Sequence, residues 1–126
     1  MAGNSISPET LKFIGLCIES VEQLEILCLL VENSSRDWSV KEIFRVIQST
    51  ETSITMGLEK FVKADLAIQN AEFRHRFSAE GKASDAARAL VKIYRERPVS
   101  VIEAIYSRPT DAVQSFADAF RFRKEK

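Results

Sequence analysis

The chain has 126 residues, of which 45% are apolar and 29% charged, with zero net charge, so it fits a soluble globular protein with one buried core. Its longest apolar stretch, residues 26–31, is far too short to span a bilayer, and its start lacks the basic and apolar regions of a secretory signal. One histidine and no CxxC motif leave no zinc site, and Cys17 and Cys28 are expected to pack in a reducing cytosol. We therefore expect a cytoplasmic protein without a membrane anchor.

The first third of the chain predicts two capped helices. Pro8 is favoured at the first position of a helix, and Ser7 is the residue that would cap it. Ser20 opens a capping box, in which Gln23 is predicted to reach back to the Ser20 amide. The helix that follows covers about 21–31, where apolar residues recur at helical spacing. A polar loop comes next, and Trp38 is predicted to anchor it to the core.

The middle of the chain predicts a second pair of helices joined by a short turn. Ser39 and Glu42 form another capping box, so a helix is expected over about 39–48. Residues 49–51 are predicted to make the turn, and Thr52 or Ser53 to cap a helix that runs to about residue 64. One stripe of this helix is apolar and must face inward. Its members are Ile54, Leu58, Phe61 and Val62.

After Asp65 the apolar pattern changes from helical to alternating, which predicts a β-hairpin. The turn is expected at residues 70–72. Alternation places three residues on one face and two arginines on the other. The first face holds Phe73, His75 and Phe77, and the second holds Arg74 and Arg76. Since a two-stranded hairpin is only marginally stable alone, it must lie against the helices as a small wing.

The C-terminal third predicts further helices. One begins near Asp85 and is interrupted at residues 95–97, because Pro98 cannot sit inside a helix at low cost. Pro109 is predicted to start the last helix. The apolar stripe of that helix is Ala112, Val113, Phe116, Ala117 and Phe120. We divide the chain into a domain of residues 1–80 and an extension of residues 84–126, which either packs on its own chain or exchanges across a two-fold axis to form a homodimer.

The block from Ser39 to Phe77 resembles the winged helix-turn-helix of bacterial transcription regulators, and the helix at 21–31 resembles their supporting first helix. The resemblance implies a mainly α fold with a small β-hairpin. The architecture would be a winged helix-turn-helix followed by a C-terminal helical extension. In that family the second helix of the pair enters the major groove of double-stranded DNA, and the wing touches the flanking backbone. Carried over, the base-reading residues are Thr52, Ser53, Met56, Lys60 and Lys63, and the phosphate contacts are Lys41, Arg74 and Arg76.

Charge and side-chain chemistry support a second interpretation. Residues 1–66 carry six Lys and Arg against ten Asp and Glu, a net charge of −4, whereas residues 67–126 carry +4. A DNA-binding domain normally presents a basic footprint, and the predicted reading helix has no Arg or Asn to pair with bases. Our leading hypothesis is a dimeric DNA-binding regulator, and the alternative is a winged-helix module that binds a protein. A continuous basic stripe on the reading face would favour DNA, and a mixed or acidic face would favour protein.

Enzymatic chemistry is not indicated. The sequence has no P-loop, GxGxxG or GxSxG motif, and it has no second histidine to serve as a base. Paired carboxylates such as Glu22 and Glu25 are expected to be solvated on a polar helix face. We therefore expect no catalytic residues and no cofactor. A ligand-sensing pocket between the wing domain and the C-terminal helices is permitted by the pattern, although no motif points to it.

Overall fold

A computed structural model describes residues 6–106 and confirms a mainly α fold with a small β-hairpin. The elements of this part of the chain are α1 (Pro8–Cys17), α2 (Val21–Glu32), α3 (Val40–Val46), α4 (Glu51–Lys63), β1 (Ala67–Gln69), β2 (His75–Phe77), α5 (Gly81–Glu96) and α6 (Pro98–Tyr106). Their layout is compatible with a winged helix followed by C-terminal helices. The helix predicted to start at Pro109 lies outside the described residues.

Serine side chains begin the first two helices, as predicted. The Ser7 hydroxyl accepts a hydrogen bond from the Thr10 amide at 3.2 Å, and the Ser20 hydroxyl accepts one from the Gln23 amide at 3.2 Å. The reciprocal bond of the second cap differs from the prediction. The Gln23 side chain accepts from the Glu19 amide at 2.8 Å, one residue further back than Ser20. The Ser7 and Ser20 hydroxyls each satisfy an amide of the first helical turn, which the helix itself leaves without a partner.

The two central helices show how closely local signals fix a helix start. At α3 the predicted capping box is confirmed, since the Glu42 amide donates to Ser39 and the Ser39 amide donates to the Glu42 carboxylate. At α4 the predicted cap was wrong, because Thr50 caps the helix and accepts from the Ser53 amide at 3.0 Å. Glu51 therefore belongs to the first turn, where its charge is favourable beside the positive end of the helix dipole.

The hairpin has three pairs in its register: Ala67 with Phe77, Ile68 with Arg76, and Gln69 with His75. Trp38 adds an antiparallel bridge to His75, with two backbone hydrogen bonds of 2.7 Å, so the chain before α3 borders the wing. The prediction that Phe73 shares a face with His75 and Phe77 was wrong. His75 and Phe77 are buried, whereas Phe73 lies in the loop and is exposed.

The C-terminal helices pack on the N-terminal ones. Helix α5 begins four residues before the predicted Asp85 and packs against α1 and α2, and α6 packs against α5 and α1. The predicted break is present, since Arg97 separates α5 from Pro98. Buried residues of α5 and α6 are Ala87, Leu90, Val91, Tyr94, Val101 and Ile105. Within residues 6–106, these apolar side chains are covered by the same chain and join the core built by α1, α2 and α4.

Candidate recognition surface on helix α4 and the wing

The amphipathic character of α4 determines which side chains it presents. Ile54, Leu58 and Phe61 are buried, as predicted for the inward stripe, and Val62 is partly buried. Because the helical period places them on other sides of α4, the remaining candidates point outward. Thr52, Ser53, Met56 and Lys63 are exposed, and Met56 keeps 60% of its surface in solvent.

A close approach at Gly57 holds α4 against α2. Gly57 is buried, and a Cβ atom added to it would lie 3.3 Å from Cδ1 of Ile26. A helix that carries only hydrogen at this point lets the two helices come closer than larger side chains would allow. The orientation of the outward face is therefore set by a contact on the opposite side of the helix.

The three candidate lysines differ in their surroundings. Lys60 is half-buried and forms an ion pair with Glu19, the residue that precedes the cap of α2. Lys63 on α4 and Lys41 on α3 are exposed. Within residues 6–106 neither of these two lysines has a carboxylate at ion-pair distance.

Both wing arginines are paired with acidic residues of the segment before and within α3. Nη1 of Arg74 lies 2.9 Å from the Glu42 carboxylate, and Nε of Arg76 lies 3.5 Å from the Asp37 carboxylate. Arg36 also pairs with Glu42, at 3.5 Å. Three of the five cationic candidates, including Lys60, are thus neutralised by the protein's own carboxylates.

Glu42 is the centre of this ionic cluster. The pKa of its carboxyl is lowered first by the hydrogen bond from the Ser39 amide, and then by Arg74 and Arg36. A carboxyl with a lowered pKa stays charged at neutral pH. The same side chain therefore caps α3 and ties the wing to it.

The wing loop places an aromatic residue in a position that normally suits glycine. The Phe73 amide donates to the Asn70 carbonyl at 3.0 Å, and the Asn70 amide donates to the Arg74 carbonyl at 2.9 Å. These bonds close a three-residue loop whose last residue is left-handed, a form in which glycine is usual. Phe73 has φ +62° and is 73% exposed.

Asn70 holds that loop in place. Its side-chain oxygen accepts from the Glu72 amide at 2.8 Å and from the Arg74 amide at 3.0 Å. Its side-chain nitrogen donates to Asp37 at 3.2 Å. The loop is therefore fixed from both sides, and Phe73 is presented at the tip of the wing.

At the root of the wing lies a buried pair of rings. His75 and Trp38 are both buried, and His75 Nδ1 and Trp38 Nε1 have no hydrogen-bond partner among the described residues. Burial lowers the pKa of His75, an effect opposed by the Trp38 backbone and by the charge of Glu59 on α4. The imidazole is therefore neutral at pH 7. The Arg36 guanidinium lies 3.8 Å above the centre of the indole.

A second polar region lies between α2 and α5. The Tyr94 hydroxyl donates to Glu25 at 2.6 Å, which raises the pKa of Tyr94 to about 12, and Arg95 makes two hydrogen bonds of 2.8 Å to Glu32. A cavity of about 380 Å³ opens beside Glu22, Glu25 and Arg95. Each of these three charged side chains already forms a hydrogen bond with another side chain of the same protein. We therefore interpret them as structural contacts between helices and not as a ligand site.

Two features of this surface were missed by the sequence interpretation. Arg36 was assigned only to the polar loop before Trp38, and Asp37 was given no role, yet both residues form ion pairs at the wing. Phe73 was assigned to the face of the hairpin that holds His75 and Phe77, whereas it is exposed. The signal for its exposure was Asn70, whose side chain favours a tight turn and so interrupts the alternation of the strand.

Among residues 6–106, no helix is long and apolar enough to cross a membrane, and no group of three His, Cys, Asp or Glu side chains is placed to hold a metal ion. Comparisons of the chain with protein-family models, with curated proteins and with solved structures gave no significant match.

Proposed function

We propose that this chain is a winged-helix protein-interaction module whose α4 and wing surface binds a protein partner. The observation that carries the proposal is Phe73. A left-handed backbone costs an L-residue roughly 1–2 kcal/mol, and the cost is least easily tolerated by bulky residues. Phe73 bears this cost while 73% of its surface lies in water, so it contributes little to the fold. Strain stored at an exposed aromatic residue is typical of a functional position.

The other side chains of the surface fit a protein partner. Met56 on α4 and Ile68 on β1 are exposed apolar residues near charged ones of both signs. Protein interfaces place aromatic residues and methionine at their centre, and a few such residues supply most of the affinity. We therefore expect a partner that offers an apolar recess for Phe73 and a polar rim around it.

The charge distribution supports this choice over DNA. Binding to duplex DNA gains most of its affinity from Lys and Arg side chains that replace counterions on phosphates. Arg74, Arg76 and Lys60 would each have to leave a carboxylate before contacting a phosphate. The face is mixed in charge, which is the arrangement that favours protein.

A DNA-binding regulator is the second candidate. It is favoured by Lys41 and Lys63, which are exposed and unpaired within the described chain, and by Thr52 and Ser53 in the first turn of α4. The N-terminus of a helix with free amides is a natural phosphate site.

Titration of a labelled random-sequence DNA duplex, followed by fluorescence anisotropy at several salt concentrations, separates the two candidates. We expect no binding at protein concentrations below about 100 μM even at low salt, which is the weak end of non-specific DNA binding. Tight binding that weakens steeply with salt would contradict the protein-interaction proposal. In that case Lys60→Ala with Lys63→Ala should reduce the salt slope by roughly 0.9 for each lost phosphate contact.

Photo-crosslinking from the wing tip tests the protein partner directly. A photoreactive phenylalanine analogue replaces Phe73, and a matched protein carries it at Val99, which is 66% exposed on α6. After irradiation in the native cells, we expect a discrete protein adduct from position 73 and none from position 99. Equal adducts from both positions, or none from either, would overturn the proposal.

A further inference from the structure

An open groove of about 550 Å³ lies between α1 and α5, two helices that take no part in the candidate recognition surface. Its apolar part is formed by Phe13 and Leu16 on α1 and by the α5 residues Ala83, Ala86 and Ala89. Leu16 keeps 74% of its surface in solvent, so one large apolar side chain projects beside a wall of small ones. Large side chains next to small ones are the arrangement by which helical surfaces interlock.

Four charged side chains also line the groove. They are Glu9 and Lys12 on α1 and Lys82 and Asp85 on α5. All four are exposed, and within residues 6–106 none has an oppositely charged group at ion-pair distance. Because covering an unpaired charge costs free energy, a partner that covers this groove must offer charges of both signs.

The order of these charges follows from the packing of the two helices. At one end Thr10 lies beside Ala89 and Ile93, and the groove continues down α1 to Leu16 and back along α5 to Ala83, so α1 and α5 run antiparallel. With Thr10 level with Ala89, each further residue adds about 1.5 Å of height along the groove. The charges then follow one another as Glu9, Lys12, Asp85 and Lys82, at heights of about 0, 4.5, 7.5 and 12 Å. Their signs alternate from negative to positive along the whole groove.

We infer that this groove is the contact surface between two copies of the chain, related by a two-fold axis that crosses the groove at the level of Phe13. Such an interface uses the same surface on both copies. The rotation reverses the order of the charges in the second copy. Glu9 then lies level with Lys82 of the second copy, and Lys12 lies level with Asp85 of the second copy. Each charge of the groove therefore meets the opposite sign, which is the complementarity that a self-associating surface requires.

The apolar side chains fit the same axis. Phe13 and Ala86 lie at its level, so they face their own counterparts. Leu16 lies about 4.5 Å beyond the axis and comes level with Ala89 of the second copy, whose small, exposed side chain leaves room for it. The inference is independent of the proposed function, since it uses neither α4 nor the wing.

A charge exchange tests the two-fold arrangement. Sedimentation equilibrium of the full-length chain gives the dissociation constant of the dimer. Glu9→Lys brings two positive charges to the same level on opposite sides of the interface, and it should weaken the dimer by roughly tenfold or more. Adding Lys82→Glu to the same chain restores opposite charges, so the dissociation constant of the double variant should return close to that of the wild type.

Matched controls separate the groove from the rest of the surface. Lys63→Glu reverses an exposed charge of α4, outside the groove, and should leave the dissociation constant unchanged. Leu16→Glu should dissociate the dimer, whereas Leu11→Glu should not, because Leu11 is exposed on α1 but does not line the groove. Since all the substituted side chains are exposed, each variant should keep its helices, which circular dichroism checks.

Three results would overturn the inference. The first is a wild-type chain that stays monomeric up to the highest concentration at which it is soluble, which would assign the groove to another occupant. The second is a dimer that neither Glu9→Lys nor Leu16→Glu weakens, because its interface would then lie elsewhere. The third is a dimer that Glu9→Lys weakens and Lys82→Glu does not restore, because the two charges would then not face each other across the axis.

Discussion

At the scale of single residues, the role proposed for Phe73 is opposed to the stability of the fold. Its ring is exposed and its backbone is left-handed, so the residue costs free energy of folding and returns little burial. Proteins commonly retain such costs where activity requires them.

Phe73→Gly should raise the free energy of unfolding by about 1 kcal/mol, because glycine adopts the left-handed conformation without steric penalty. Urea unfolding measures the change. The matched control is Asp65→Gly at the other left-handed non-glycine residue of the described chain, where a smaller gain is expected because aspartate tolerates this conformation. A loss of stability in Phe73→Gly would show that the ring supports the fold and would remove the argument for its function.

His75 should make the protein less stable in mild acid. Burial lowers its pKa in the folded state, so the unfolded chain binds the proton more readily. The stabilisation is present above the unfolded pKa of about 6.5 and is lost as the pH falls below it. Urea unfolding between pH 7.5 and 5, the range in which an imidazole titrates, measures this effect. The free energy of unfolding should fall more steeply with decreasing pH for the wild type than for His75→Gln. Parallel curves for the two proteins would contradict this assignment.

At the scale of the elements, the position of the candidate recognition surface depends on how closely α4 approaches α2. The contact at Gly57 lies on the buried side of α4, opposite the outward residues Met56 and Lys63. Interiors are close-packed, so a larger residue at this point must displace the Ile26 side chain or shift one of the two helices. A substitution at Gly57, on the buried side of α4, is therefore expected to shift the exposed side chains of the same helix.

Gly57→Leu should lower the free energy of unfolding by about 1–3 kcal/mol, the usual cost of overpacking a core. Thermal or urea unfolding measures it. Gly15→Leu is the matched control, because it is also a helical glycine but a Cβ atom there would meet nothing within 4 Å. That control should be neutral or slightly stabilising, since leucine favours the helix over glycine by up to about 1 kcal/mol. Similar losses at both positions would show that the close contact between Gly57 and Ile26 is not the cause of the loss.

The wing shows why some of this structure could be predicted from sequence and some could not. Helix starts at Ser7, Ser20 and Ser39 depend on residues within one turn, and each was predicted. The face of the hairpin on which Phe73 lies was not predicted correctly, because the assignment assumed that side chains alternate along the strand, and a left-handed loop residue interrupts this alternation. The pair between Arg74 and Glu42 joins residues 32 positions apart, and no local pattern encodes such a contact.

At the scale of the whole molecule, α5 decides where the folding unit ends. The predicted boundary between residues 80 and 84 falls at the start of α5, yet Leu90, Val91 and Tyr94 of that helix are buried in the core shared with α1 and α2. A chain cut at this boundary would expose the apolar sides of both partner helices. The division into two domains stays a prediction, and the packing gives it a direct test.

We expect a fragment of residues 1–80 to lose cooperative unfolding, because it lacks the apolar side chains of α5 and leaves the surface that α5 covers exposed to water. Circular dichroism during urea titration, compared with a fragment of residues 1–106, measures the difference. The longer fragment retains every described helix and should unfold in one sharp transition. A sharp transition in the 1–80 fragment would support an independent winged-helix domain.

The placement of Trp38 has an optical consequence. It is the single tryptophan of the chain, it is buried at the root of the wing, and it bridges to His75 beneath the Arg36 guanidinium. All indole emission therefore originates at the junction between the wing and the helices. A partner that contacts only the wing tip leaves the wavelength of the emission maximum unchanged. A partner that moves the wing away from the helices lets water reach the indole and shifts the emission maximum to longer wavelength. The protein thus carries its own label-free indicator of wing movement.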